Sequence, residues 1–456
     1  MKRMTLALIV ALSASCAPQA PVSTEDSSVT AFVDVHVVPM DREHVLEHFT
    51  VLVEGDRITA VGPVADVDVP SGATRIEGGG RYLMPGITEM HGHLPNPDMP
   101  AEVTENVLFL YVANGVTTVR GMQGNASQLV LRERIAAGEV VGPDLILGSP
   151  SLNGNRVESA EQAEALVREY HEAGFDLLKV HEGLTLEEYD VIAATANELG
   201  IPFAGHVTDY VGLFHALEAG QTTIDHLDNY IQALVPDDDR PDAPPGLRGV
   251  DALLDRVDET RIETVIQATL DADASVVPTM VLWESGLFPR QPSEVLLEQR
   301  SEVQYMPKEM VERWTEAVDT RIADVEPATM RRFAELRRRI LAALHEGGVR
   351  VLLGTDSPQI FSVPGFSIAR EMALYVEIGM TPYEVIASGT RVVGEYFDAD
   401  FGTVEVGRRA DLVLVLGNPL EDIENVSKRA GVMVRGRWIS SEDIEARLRE
   451  IAAYNE

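Results

Sequence analysis

The chain has 456 residues, 45% of them hydrophobic, and a formal net charge of −36. That length exceeds one small domain and calls for two domains, or for one large barrel with an accessory unit. The acidic balance excludes a nucleic-acid binder, which needs clustered lysine and arginine, and reads as a solubilising surface.

Residues 1–16 run from Met1-Lys2-Arg3 through an apolar stretch, Leu6 to Leu12, to the small residues Ser13-Ala14-Ser15 and then Cys16. This is the pattern of a secretory signal, too short to span a bilayer. Small residues directly before Cys16 resemble a bacterial lipoprotein signal, which implies a lipid anchor on Cys16 and a periplasmic or cell-surface location. An ordinary signal cleaved elsewhere is the alternative. Cys16 is the single cysteine, so no intramolecular disulfide framework and no cysteine zinc site is expected. Residues 17–28, rich in Pro, Ser and acidic groups, read as a disordered tether.

From 29 to 84 the signals are short β-branched runs, at Phe32 to Val38, Phe49 to Val53 and Arg57 to Val61, with a tight turn at Glu54-Gly55-Asp56. They predict the first part of a small β-sandwich, in which His36, His44 and His48 are structural or surface residues. From 85 to 398 apolar runs alternate with helical segments, the signature of parallel βαβ repeats. The runs end at His91-Gly92-His93, Gly121, Gly148, Val180, Val207, His226, Val281 and Asp356. Eight such strands predict a (β/α)8 TIM barrel, an α/β fold whose active site lies at the strands' C-terminal ends. Helices are expected at Ser159 to Ala173, with Ser159 as N-cap, at Leu186 to Leu199 and around 250–272. The loop Pro236 to Gly246 has too much Pro and Asp for regular structure. Residues 284–348 form a helical insertion with Trp283 at its root, either a lid over the barrel mouth or an elaboration packed on its wall. Residues 399–456 return to the β pattern and are expected to complete the sandwich, which is thus built from both chain ends.

The strand ends present His91, His93, Lys179, His206, His226 and Asp356. All except Lys179 are standard divalent-metal ligand types. On one strand His91 and His93 face the same way, roughly 7 Å apart along the backbone. A lysine inside an apolar strand would ordinarily be a snorkelling residue. Here lysine is scarce, Lys2, Lys179, Lys308 and Lys428 being the whole complement, and Lys179 keeps company with ligand types.

These motifs, together with Pro85-Gly86, Gly354-Thr355-Asp356, Gly402 to Asp411 and Gly417-Asn418-Pro419, resemble the amidohydrolase superfamily of metal-dependent hydrolases. Within it the chain looks like the branch of imidazolonepropionase-like proteins and Xaa-Pro dipeptidases with a carboxylated lysine. The resemblance implies two divalent ions, zinc by default with manganese or cobalt as fits. His91, His93 and Asp356 would hold the first ion and His206 and His226 the second, with a CO2-derived carbamate on Lys179 bridging them. It implies amide hydrolysis by a metal-bridging hydroxide, with Asp356 as general acid and base, on a dipeptide or an N-acyl amino acid. Hydrolysis of a cyclic amide, carbamate or ester xenobiotic is the alternative, and a non-catalytic periplasmic binding lipoprotein a remote one. A homo-oligomer is left open. Tyr230 would polarise the carbonyl or touch a substrate carboxylate, unless it is a packing aromatic. Arg120 and Arg156 are candidates for a C-terminal carboxylate, against the commoner structural salt bridge. Asp225 and Asp228 would orient imidazoles or cap a helix, and His181 would support the site from behind, whereas His215 and His345 read as structural. Two positions depart from the family pattern. Glu89 stands where aspartate is usual, with an expected effect on orientation rather than chemistry, and Gly121 where aspartate is common.

Overall fold

The computed structural model describes residues 29–239 and 249–456. The signal at 1–16, the tether at 17–28 and the loop residues 240–246 therefore lie outside the described residues. No helix among the described residues is long and apolar enough to cross a membrane.

Both chain ends contribute to one β unit. Strands β1 (Val29–Val37), β2 (Leu46–Glu54), β3 (Arg57–Pro63), β4 (Thr74–Glu77) and β5 (Tyr82–Pro85) precede the barrel. Strands β14 (Leu412–Val415), β15 (Arg429–Val434) and β16 (Arg437–Ser440) follow it. Where two packed sheets were expected, pairing gives one eight-stranded sheet, β16-β15-β14-β5-β1-β2-β3, with β4 on β1. The reason is β5, which pairs β1 on one edge and β14 on the other and so stitches the two ends together. The sheet curls until Phe32, Val51 and Ile58 share one core with Leu412 and Met433. Trp438 closes it, edge-on to Phe32 at 5.3 Å.

The barrel strands are β6 (Ile87–Gly92), β7 (Val116–Gly121), β8 (Asp144–Leu147), β9 (Leu178–Val180), β10 (Phe203–Gly205), β11 (Thr223–Asp225), β12 (Ser275–Val277) and β13 (Arg350–Val351). They form two parallel sheets, β6-β7-β8 and β9 to β13. Parallel bridges Gly148↔Leu177 and Gly92↔Ser357 join them at both seams. All eight predicted strands are present, several shorter than their apolar runs. After Val351 the backbone leaves the ladder: the N–H of Leu353 donates to Ser388 and that of Asp356 to His91. The helices Ala160–Ala173 and Leu186–Leu199 start at side-chain caps on Ser159 and Thr185, as the cap residues predict. The single helix expected near 250–272 is instead two, Val250–Leu254 and Ile262–Asp271. Asp258 breaks it by accepting from the N–H of Thr260, which starts a new turn. The insertion carries the helices Ser293–Gln299, Lys308–Asp324 and Pro327–Glu346. Trp314, Phe333, Ile340 and Leu344 bury into the main core, so the insertion packs on the barrel wall.

Arg409 ties the β unit to the barrel. Its guanidinium pairs with Asp411, donates to Asp144 at 2.6 Å and reaches the hydroxyl of Thr118 at 2.8 Å. Burial pushes the carboxyl of Asp411 up, and Arg409 offsets that cost. Removing one partner of a buried pair leaves an uncompensated charge. Arg409→Ala is expected to destabilise the fold by about 3 kcal/mol, whereas Arg57→Ala, at the exposed Arg57–Asp400 pair, should cost about 1 kcal/mol or less. Denaturant midpoints of the two variants check this, and equal shifts would contradict it.

Candidate metal centre

The strand ends deliver the six expected side chains to one place. His91, His93, Lys179, His206, His226 and Asp356 line a single cavity of about 270 Å³. His91, Lys179, His226 and Asp356 are buried, while His93 and His206 are part-exposed. Asp356 Oδ1 lies 2.6 Å from His93 Nε2 and 3.7 Å from His91 Nε2. The rings of His91 and His206 stand 4.4 and 4.5 Å from that of His226.

Three of the imidazoles are held by the nitrogen on their far side. His91 Nδ1 donates to Asp225 at 2.7 Å, and His206 Nδ1 donates to Asp228 at 2.7 Å. His226 Nδ1 lies 2.8 Å from the hydroxyl of Thr279. Anchoring Nδ1 fixes the tautomer and leaves Nε2 as the free lone-pair donor; that of His91 faces Asp356 and Lys179. His226 Nε2 is buried and has no hydrogen-bond partner there. A buried polar atom is costly when orphaned, and a divalent cation is the partner that this donor set fits. Burial lowers the pKa of His91 and His226 far below the usual imidazole value and that of His206 to about 3. The rings are therefore neutral, as ligands must be.

Asp225 is fixed in turn. It accepts from Arg120 Nη2 at 3.0 Å and from the Thr223 hydroxyl at 2.7 Å. Glu89 accepts from the N–H groups of His91 and Thr355, at 3.0 and 2.8 Å, and from the Thr355 hydroxyl. It thereby fixes the end of β6 against the segment that carries Asp356, an orienting role as expected. Burial raises its pKa to about 8. His226, Thr279 and Asp356 adopt positive φ, at 62°, 46° and 61°. Such non-glycine strain gathers where a site needs a particular side-chain direction.

Lys179 is fully enclosed, with Nζ 3.4 Å from His91 Nε2 and no ion-pair partner among the described residues. Burial pushes its ammonium pKa down, favouring the neutral amine. Gly205 makes room for it: a Cβ there would lie 2.9 Å from Lys179 Cδ, and its φ of +120° suits glycine alone.

Three expected substrate contacts are corrected. Tyr230 is fully buried, and its hydroxyl lies 2.8 Å from that of Thr269, a packing role away from the cavity lining. Arg120 is enclosed in the barrel interior, holding Asp225 and the carbonyl of Met90, so it acts behind His91. Arg156 is exposed and spends its guanidinium on the Tyr170 hydroxyl at 3.1 Å. His215 and His345 face Asp190 and Glu384 outside the site. His181 lines the cavity, its ring 4.2 Å from that of His206. Glu182, His206 and Asp228 also converge. Because Asp228 already engages His206 Nδ1, that group steadies the ring from behind. Thr279 was missed, and its signal was its place just past the apolar run of β12.

A model of the amidohydrolase family matches residues 82–266 and 293–439. No curated protein matches. Among solved structures, a candidate prolidase from Bifidobacterium longum is similar at TM-score 0.69 and 23% identity, over 93% of this chain and 99% of that one. A Xaa-Pro dipeptidase with methionine in its active site is similar at TM-score 0.65 and 18% identity, covering 91% and 100%. A bottromycin amidohydrolase is similar at TM-score 0.69 and 21% identity, covering 94% and 90%. At these identities the structures establish a shared fold.

Loss of an imidazole anchor typically costs 10–100-fold in metal affinity. Asp225→Asn and Asp228→Asn are each expected to weaken zinc binding by about that factor, read by competition with a chromophoric chelator. Asp190→Asn, at His215 outside the cavity, should leave it unchanged; the same loss in all three variants would refute the anchoring role.

Proposed function

The chain belongs to the amidohydrolase family, and from that premise we propose that it hydrolyses an amide bond at a two-metal centre. Its substrate in this reading is a dipeptide of Xaa-Pro type or an N-acyl amino acid. One observation carries it: His91, His206 and His226 are anchored through Nδ1 around a cavity that also holds Lys179 and Asp356. Two structures that share the fold are a candidate prolidase and a Xaa-Pro dipeptidase, which supports a peptide-like substrate.

His91, His93 and Asp356 would hold one ion, His206 and His226 the other, and Lys179 both. Lys179 would do so as a carbamate: its neutral amine adds to CO2 and loses a proton, which turns a would-be cation into an anionic bidentate ligand. Burial of Lys179 favours the neutral amine that this needs. Zinc is the first choice for a histidine-rich site, and manganese or cobalt suits the same ligands. When bound, such ions supply Lewis acidity and a more acidic water.

The chain's own residues do the rest. The cavity orients the scissile amide, and Trp283 and Leu287 at the root of the insertion supply apolar lining. Asp356, on its strained backbone beside His93, takes the proton of the attacking water. As the C–O bond forms and the C–N bond breaks, Asp356 returns that proton to the leaving nitrogen. One water is consumed, and an acid and an amine are released.

Lys179→Ala removes the group assigned to both ions. Activity on a dipeptide and N-acyl amino acid panel is expected to fall roughly 100-fold or more, beyond the cost of losing an outer anchor, with fewer ions retained per chain. Full activity in this variant would refute the bridging assignment. Hydrolysis confined to cyclic amides, carbamates or esters in the unmodified protein would refute the peptide reading.

A further inference from the structure

A second cavity, of about 230 Å³, adjoins the metal cavity and shares Trp283 and Leu287 with it. Its wall is mostly apolar and aromatic, with Leu253, Phe288 and Phe333 among its residues. One cation interrupts this wall. Arg337, on the insertion helix Pro327–Glu346, is only 2% exposed. Its guanidinium lies 4.1 Å over the Trp283 ring, and Nη2 donates to the carbonyl of Pro278 at 3.3 Å.

What Arg337 lacks is an anion in contact. Among the described residues no carboxylate comes within ion-pair distance of it, Asp228, Glu284 and Glu371 acting on its charge only from farther away, and its Nε is buried without an acceptor. The neighbouring arginine, Arg338, takes Glu284, and Asp228, which also lines this cavity, is engaged by His206. The indole Nε1 of Trp283 is a second buried donor without an acceptor. A buried guanidinium is costly unless it is paired and hydrogen-bonded. A guanidinium without an ion pair and an indole N–H without an acceptor, both on residues of one mostly apolar cavity, therefore favour an acceptor carried on an apolar group.

We propose that this cavity receives the carboxylate-bearing, apolar end of the substrate, and that Arg337 determines specificity for that carboxylate, with the Trp283 indole N–H as a second donor. The assignment rests on the amide-hydrolase reading above and narrows its substrate class to molecules with a free carboxylate on an apolar or aromatic residue. The guanidinium would give the carboxylate charge-assisted bonds, which a neutral amide in the same place cannot match. Leaving Arg337 uncompensated then disfavours substrates that lack the anion.

The test is calorimetric binding of 3-phenylpropanoate and of 3-phenylpropanamide to the metal-loaded protein, which needs no turnover. The unmodified protein is expected to prefer the carboxylate by about tenfold or more. In Arg337→Met that preference should collapse towards one, and in Trp283→Phe, which keeps a ring but removes the donor, it should shrink several-fold. If Arg337→Met does not fold, Arg337→Lys and Trp283→Phe carry the test. No preference in the unmodified protein, or an undiminished preference in the variants, overturns the proposal; the latter would mean that the carboxylate is held at the metals instead. Binding as expected without hydrolysis would refute only the hydrolase reading. Hydrolysis without the carboxylate preference would refute only this assignment.

Discussion

Neutral imidazoles packed into one buried cavity must each have their outer nitrogen satisfied, or the cavity collapses into unpaired polar groups. The rest of this structure depends on that constraint. A single short segment meets most of it: Asp225 anchors His91, His226 points into the cavity, and Asp228 anchors His206. The ends of β6 and β10 are thereby locked to the end of β11. The strain at His226 and Asp356 is the local cost of aiming both side chains inward. Arg120 and Glu89, both fully buried, extend the lock to β7 and to the chain after β13. Such preorganised support lets a buried site hold cations without reorganising around them.

Much of this was legible in the sequence because the chemistry lies at strand ends. Apolar runs fix where barrel strands start, and a polar residue that ends one is aimed at the mouth. His91, His206, His226 and Asp356 are all of this kind, and Lys179 stood out because lysine is so scarce. The strands themselves came out shorter than their runs, since backbone N–H groups beyond the ladder donate to neighbouring segments, as at Leu353 and Asp356.

The misses have physical causes. Arg120 and Tyr230 are near strand ends in sequence, but side-chain direction decides between mouth and interior, and a one-residue change of face is invisible without register. Arg120 turns inward to Asp225, and Tyr230 turns to Thr269 on a neighbouring helix. The strands of the β unit were recognisable, yet whether they make one sheet or two depends on which edges β5 uses, a non-local matter. Arg337 was hidden among Arg331, Arg332, Arg338 and Arg339, most of which pair with surface carboxylates. Only packing distinguishes the one buried with no carboxylate in ion-pair reach. The insertion is thus a wall element by its packing, while its root reaches the cavity through Trp283 and Leu287.

The proposed two-ion centre for amide hydrolysis is tested most directly by a zinc titration of the metal-free protein, with bound metal and release of amino acid from a dipeptide and N-acyl amino acid library followed together. Two equivalents are expected to bind tightly, with hydrolysis reaching its full rate only as the second is taken up. Saturation at one equivalent with full hydrolysis, or no amide hydrolysis with both ions bound, would contradict a two-ion hydrolase.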